Sequence, residues 1–400
     1  MEYDLATNFD DKLIERVAEF ETVKSVYGKL PADIVGGGRP TIVLPNINRK
    51  DIKKHIETCH KHGIEFNYLL NASCMDNKEL TAEGYKEIIK LIEQVQEDGA
   101  NSLTVSNIPL LGIIKNHFPD LKVSTSIYMR PSTINEVLSL EEMGADEITL
   151  CYSFNRNFPK LKKVLDVKKP TTSLRLIANN TCLHDCPYRV PGHANFLAHS
   201  SQQKHESKGF ALDIFTVMCG LKKLENLGEI FMSEWIRPED VSDYEELGRN
   251  LVLKLTDRAR TTDWLVRAVR AYSEQNYDGN LFDILNWMDG KYKQTHIGPM
   301  IKGALKGKAK IQQLLKLKTG AFLPEIYVDN RQLEGFLEHF KKSPCEDRVC
   351  YSRSPQNADC NYCETLAERL VKINEQEKQS SISRKQEIIT AINSGEMFGK

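Results

Sequence analysis

Ser173-Leu174-Arg175-Leu176-Ile177-Ala178 runs directly into Asn179-Asn180-Thr181-Cys182-Leu183-His184-Asp185-Cys186-Pro187-Tyr188-Arg189. The apolar run reads as a strand, and the loop that leaves it carries two cysteines separated by three residues, with His184, Asp185 and Pro187 around them. A third cysteine, Cys219, follows 33 positions after Cys186. Thiolates on one loop arrive pre-positioned by a single backbone segment, so they can share a metal ion or an iron–sulfur cluster. The plainer alternative is a pair of buried free cysteines, since the thiol also behaves as a small apolar group.

Working outward from this strand, the same rhythm appears on both sides. Strands are expected over 24–30, 64–70, 102–106, 121–126, 147–152, 173–178, 229–232 and 251–255, separated by amphipathic helices. The helices over 49–62, 81–98 and 133–143 are each followed by a glycine (Gly63, Gly99, Gly144) suited to a C-terminal cap. Ile88, Ile89, Ile92 and Val95 mark one buried face at helical spacing. A first helix is expected over 8–22, before any strand, and a helical excursion over 194–228. Another helix is expected over 276–290. Eight strands alternating with helices predict an α/β fold, a (β/α)8 TIM-like barrel, in preference to a doubly wound open sheet. The expected organisation is a barrel over 20–290, a basic helical linker over 291–340, and a C-terminal cysteine-rich extension with a helical tail over 341–400. In such barrels the loops after the strands build the active site. Cys74, Cys151 and the 179–189 loop therefore converge on one face.

The chain has 400 residues, 40% hydrophobic and 27% charged, with a formal net charge of -1. That composition is ordinary for a globular protein and provides no global basic field for nucleic acid. The N-terminal residues carry four acids among Met1 to Asp11 and no apolar core. No apolar run reaches the length of a membrane span. These features predict a cytoplasmic protein with no membrane partner, and ten cysteines in a reducing compartment point to ligands more than to disulfides.

Past residue 340, Cys345, Cys350, Cys360 and Cys363 give C-x4-C-x9-C-x2-C, four thiols within 19 residues. Packing alone does not explain that density. Four thiolates suit either tetrahedral zinc or an iron–sulfur cluster. Residues 302–318 carry six lysines and no acids; they read as a solvated basic face, or as an anion or RNA contact.

The sequence also resembles the peptidase U32 family. The resemblance rests on Phe66-Asn67-Tyr68-Leu69-Leu70-Asn71, the Asn179 to Tyr188 loop, Trp235-Ile236-Arg237-Pro238-Glu239-Asp240, Leu253-Lys254-Leu255-Thr256-Asp257-Arg258-Ala259-Arg260, and Leu265 to Tyr272. It implies a TIM-like barrel and, as in several members, a [4Fe-4S] cluster held by four cysteines. Members of this kind resemble oxygen-independent hydroxylation proteins acting in ubiquinone synthesis or on a pyrimidine in RNA, with prephenate as oxygen donor in some; others modify peptides. The resemblance implies Cys182, Cys186 and Cys219 as three ligands. Familiar members space their cysteines differently, so the fourth is open between Cys74, which the reading adopts, and Cys151. The C-terminal cysteines lie outside the familiar barrel and are assigned a second [4Fe-4S] cluster or zinc.

The function expected is iron–sulfur-dependent, oxygen-independent modification, hydroxylation or related redox chemistry, of a small molecule, an RNA base or a peptide, with a partner protein or electron donor. The competing readings are a non-catalytic iron–sulfur or zinc scaffold for a catalytic subunit, and a U32-type peptidase. The last lacks a Ser/His/Asp or H-E-x-x-H signature in the sequence. Carboxylate substrates need bidentate donors, and Arg175, Arg189, Arg237 and Arg258 fall nearest the expected mouth. His184, His193 and His199 are candidates for proton transfer. From these the reading assigns catalytic roles to His199, Arg175 and Arg237.

Overall fold

The computed structural model describes residues 1–203, 205, 213–248, 250–289, 320–351 and 353–398. Eight parallel strands close into a barrel in sequence order. They are β1 (Glu2–Ala6), β2 (Val23–Gly28), β3 (Glu65–Leu70), β4 (Ser102–Val105), β5 (Lys122–Thr125), β6 (Glu147–Thr149), β7 (Ser173–Ile177) and β8 (Leu251–Leu255). Around them run α1 (Asp11–Val17), α2 (Arg49–Lys61), α3 (Ala82–Glu97), α4 (Ile108–His117), α5 (Ile134–Glu142) and α6 (Phe158–Val167). After the cysteine loop come α7 (Ala194–His199), α8 (Ile214–Glu225), α9 (Gly228–Met232), α10 (Val241–Glu245) and α11 (Thr262–Ser273). Among the described residues no helix is long and apolar enough to cross a membrane.

Local chemistry explains where the helices begin and end. Asn48 caps α2 by accepting from the Lys50 and Asp51 amides, with Asp51 completing a capping box. The helix then buries Ile52, His55, Ile56 and Cys59 on one face, so Cys59 is core packing. Gly63, Gly99 and Gly144 all take positive φ (72°, 98° and 97°), the left-handed turn that ends a helix without a Cβ penalty.

The lumen is unusually polar for a barrel, where branched aliphatic side chains normally dominate. Arg175 projects inward and pairs with Asp4 and Glu147 from two other strands. Asp4 also accepts from Ser25, Asn67 donates to Ser102 at 2.8 Å, and Ser124 donates to Glu147 at 2.8 Å. The Lys254 ammonium lies 3.7 Å from the Tyr27 ring centroid. Burial pushes the Lys254 amine well below its ordinary range, and the Arg175 charge adds to that effect.

This lumen explains one difference from the sequence expectation. The first strand is Glu2–Ala6, ahead of α1, so the barrel begins before residue 20. Its acids resemble surface residues in sequence, yet Asp4 is a buried lumen group. Residues 229–232, expected as a strand, belong to helix α9, buried throughout; three consecutive apolar residues, Ile230 to Met232, carry no periodicity to distinguish the two. Residues 276–290 were expected as a helix; from 276 to 289 the structure has only one short 3-10 turn, Leu281–Asp283, within irregular chain. The lysines of 302–318 lie outside the described residues. In the C-terminal region helix Tyr362–Leu370 packs on α9 and helix Glu375–Asn393 packs on α8.

Candidate functional site

The mouth at the C-terminal ends of the strands is built from the loops after β2, β3, β5, β7 and β8. Gly36, Gly37 and Gly38 turn their amides to Asp33, Ser201 and Asn71 respectively. An added Cβ on Gly38 would come 2.7 Å from the Tyr128 ring, so the glycine lets this loop close over the tyrosine. Arg39 makes a two-pronged contact to Asp257, with Nε 3.3 Å and Nη2 3.1 Å from its carboxylate oxygens. Lys29 is fully buried and paired with Asp33 at 2.7 Å.

Arg258 lies among these groups and is itself buried. Its Nη1 has no hydrogen-bond partner among the described residues. Burial, reinforced by the Arg39 charge, pushes its guanidinium down to about 10. Burial holds the Tyr128 phenol up, while Arg39, Cys182, Arg258 and Asp257 all act on it. Tyr128 therefore connects the cationic mouth to the cysteine loop. Burial of an unsatisfied charged donor is costly, so this arrangement favours an anionic guest.

The cysteine loop is anchored by Asn179, which donates to the Thr256 carbonyl at 2.7 Å and accepts from the Thr256 amide at 2.8 Å. This ties the end of β7 to the end of β8. Asn180 donates to the Cys182 sulfur at 3.4 Å. Burial pushes the Cys186 and Cys219 thiols up; the Cys182 group acts on both, and Cys186 acts on Cys219. Lys223, one turn after Cys219 on α8, opposes that rise. Arg189 stacks over the Tyr152 ring at 4.7 Å. Burial works against its charge, but Cys182, Tyr152, Cys151 and Cys186 together raise its pKa. Three thiols from two segments, with cations beside them, are a chemically suitable donor set for an iron–sulfur cluster. Cys151 shares their arginine.

The four C-terminal cysteines come together. Cys345, Cys350, Cys360 and Cys363 line one cavity of about 30 Å³, with Arg156, His184, Glu234, His339 and Arg348. Cys350 and Cys360 pair as a β-bridge. Arg348 donates towards the Cys360 sulfur at 3.6 Å, and His339 Nε2 lies 3.8 Å from it. Burial pushes the Cys350 thiol up to about 11 and Cys363 well above its ordinary value. A metal held by these thiols would have to keep them deprotonated. His184, between the two barrel-loop cysteines, reaches this cavity. Burial opposes its charge, but Asp185 and Glu234 push it up to about 10. Arg353 donates to the His184 carbonyl at 3.2 Å and pairs with Glu229.

The remaining sequence candidates are placed as follows. Arg175 lies in the lumen, neutralised by two carboxylates. Arg237 is buried away from the cysteine loop, bonded to Asn330 and to the Leu333 carbonyl, and holds the C-terminal segment to the barrel. His193 pairs with Asp213 at 3.3 Å. His199 and Cys74 meet each other and Asp76 on the C-terminal face. Sequence reasoning passed over Arg39, Tyr128 and Arg156. Only the Gly36-Gly37-Gly38 run beside Arg39 offered a signal; Tyr128 and Arg156 become recognisable only through long-range packing.

Residues 42–158 match the model of peptidase family U32. A protein of Methanocaldococcus jannaschii named as an uncharacterized protease is 27% identical over 348 residues, covering 87% of this chain and 89% of that protein. Among solved structures, the U32 peptidase Mk0906 has 15% identity and a TM-score of 0.48, covering 64% of this chain and 93% of that one. The 3-hexulose-6-phosphate synthase of Salmonella typhimurium has 14% identity and a TM-score of 0.37, covering 69% and 98%.

Proposed function

We propose that this chain, which matches the peptidase U32 family model over residues 42–158, is an iron–sulfur enzyme carrying out oxygen-independent modification of a carboxylate-bearing substrate, or with a carboxylate-bearing donor. Cys182, Cys186 and Cys219 would hold a [4Fe-4S] cluster. Cys151 is the better-placed fourth thiol, since its charge, like those of Cys182 and Cys186, acts on Arg189, whereas the Cys74 thiol is grouped with Asp76 and His199. When bound, such a cluster supplies electrons, or an open iron where one corner lacks a thiolate.

The observation that carries the reading is the buried Nη1 of Arg258, which has no hydrogen-bond partner among the described residues, beside Tyr128, whose phenol feels the charges of both Arg258 and Cys182. In this proposal Arg258 and Arg39 receive the carboxylate, Asp257 orients Arg39, and the protonated Tyr128 hydroxyl would turn from the Gly38 carbonyl, to which it donates at 3.4 Å, to the bound anion. Gly36 to Gly38 lets the loop approach closely enough to exclude water. Arg189 and Lys223 offset the charge of the thiolates.

The test is titration of the anaerobically purified, dithionite-reduced full chain with prephenate, followed by electron paramagnetic resonance. Binding is expected to perturb the cluster signal saturably, and Arg258→Ala to weaken it by about tenfold or more. An unchanged affinity in Arg258→Ala would remove the anion site from the account. The name of the Methanocaldococcus relative also favours a peptidase reading; casein cleavage that survives Cys182→Ala would support it over the cluster enzyme.

A further inference from the structure

The loop leaving β3 and the end of α7 meet on the same face of the barrel. Cys74 and Asp76 come from the first segment, His199 from the second, and His205 follows shortly after. One ligand atom from each of Cys74, Asp76 and His199 lies within 4.8 Å of the others. His199 Nε2 is 3.3 Å from Asp76 Oδ1, and the Cys74 sulfur is 3.9 Å from the same oxygen. His205 Nε2 is 3.6 Å from the other oxygen, Oδ2. The two imidazoles stack with centroids 4.4 Å apart and planes 12° from parallel.

These separations can be compared with a bound ion. Tetrahedral zinc, with Zn–N and Zn–O near 2.0–2.2 Å and Zn–S near 2.3 Å, sets its N and O ligands about 3.3 Å apart and its S and O ligands about 3.6 Å apart. The His199–Asp76 distance matches and the Cys74–Asp76 distance is a few tenths of an ångström longer. Ion pairs account for the imidazoles and a weak thiol hydrogen bond for Cys74; what points to an ion is that a thiol, a carboxylate and an imidazole from two segments converge within 4.8 Å of one another.

The backbone on both sides is also fixed. Buried Gln202 donates to the Cys74 carbonyl at 2.6 Å and to the Val35 carbonyl at 3.0 Å. Ser73 donates to Asn195 at 2.7 Å. Side chains between the two segments thus hold the donors in place without help from an ion.

We propose that Cys74, Asp76 and His199 form a three-ligand zinc site, with His205 packed beside it against Asp76 and His199. A thiolate, a carboxylate and an imidazole select a borderline-soft divalent cation over magnesium or calcium, which favour all-oxygen shells. Bound there, the ion crosslinks the β3 loop to α7 beside the Gly36 to Gly38 turn, and so fixes one wall of the mouth. The site is independent of the iron–sulfur reading: zinc reports on one and iron on the other.

The experiment measures zinc and iron per chain by mass spectrometry in the full-length protein, expressed with added zinc and purified without oxygen. Wild type is compared with Cys74→Ser, Asp76→Asn, His199→Ala and His205→Ala. The expected result is one zinc fewer per chain in Cys74→Ser and in His199→Ala, with iron unchanged. Cobalt titration of chelator-treated protein should give a thiolate-to-cobalt absorption band that Cys74→Ser removes and His199→Ala shifts to at least tenfold higher cobalt. Thermal unfolding of the metal-free proteins should coincide, which separates loss of a ligand from loss of the fold. Unchanged zinc in both Cys74→Ser and His199→Ala would overturn the proposal. So would loss of iron in Cys74→Ser with no metal lost in His199→Ala, which would make Cys74 a cluster ligand.

Discussion

The two main groups of cysteines differ in surroundings more than in ligand chemistry. Cys182, Cys186 and Cys219 stand beside a cationic barrel mouth, with Arg189 and Lys223 next to them and Arg258 behind Tyr128. Cys345, Cys350, Cys360 and Cys363 gather in a small cavity against an aromatic wall, where His339 stacks on Tyr362 at 3.8 Å and Trp235 stacks on Phe336 at 4.9 Å. The first setting can receive a charged substrate; the second secures the C-terminal region to α6 and α9. The difference teaches that nearby thiols alone do not set the role of a site; the groups around them do.

Two buried arginines repeat the contrast. Arg156 is fully engaged: it donates to the Phe231, Ser233 and Trp235 carbonyls and lies 4.7 Å from each of three ring centroids. Arg258 leaves its Nη1 without a partner among the described residues. The first arginine therefore supports the fold, and the second is the one proposed to bind the anion.

The largest expected effect separates the cysteine groups. Cys182→Ala should lose the barrel iron entirely while the C-terminal metal stays, and Cys363→Ser should do the reverse. Cys363→Ser should also lower the unfolding midpoint by on the order of 5 °C, as expected for a structural metal. Retention of both metals in either variant would break the comparison. Next, Arg156→Ala should destabilise the chain by about 3 kcal/mol or more in urea unfolding, because several buried carbonyls lose a charged donor at once. A loss under about 1 kcal/mol would show those carbonyls to be satisfied otherwise.

A smaller effect concerns the helix that buttresses Cys219. Lys385 packs beside Gly220 and donates to the Gly320 and Phe322 carbonyls. Burial, aided by Arg384, lowers it from 10.5 to about 8. Between those values the unfolded chain binds more protons, so stability should rise with pH across that window, by about 3 kcal/mol. Lys385→Met should abolish the rise, and a rise that persists in the variant would assign it to other groups. The smallest effect on stability is expected for Arg258→Met, within about 1 kcal/mol of wild type, because a poorly satisfied buried charge contributes little net stability. A loss as large as that of Arg156→Ala would make Arg258 structural.

Much of the barrel is legible in the sequence because its outer face repeats apolar spacing and its helices end at Gly63, Gly99 and Gly144. β1 is not, because lumen residues such as Asp4 look like surface ones until Arg175 and Ser25 meet them. The C-terminal cysteines are legible because their spacing is local. The roles of Arg237 and Arg156 are not, since each is defined by carbonyls that fold against it from distant segments. Arg258 illustrates both limits: its sequence position places it near the mouth, while its unpartnered nitrogen emerges only from the packing.

The most direct measurement is iron, acid-labile sulfide and zinc per chain in wild-type protein purified without oxygen. The account predicts about four irons with matching sulfide if the C-terminal cysteines hold zinc, or about eight if they hold a second cluster. Protein containing no iron and no sulfide under strictly anaerobic handling would contradict it.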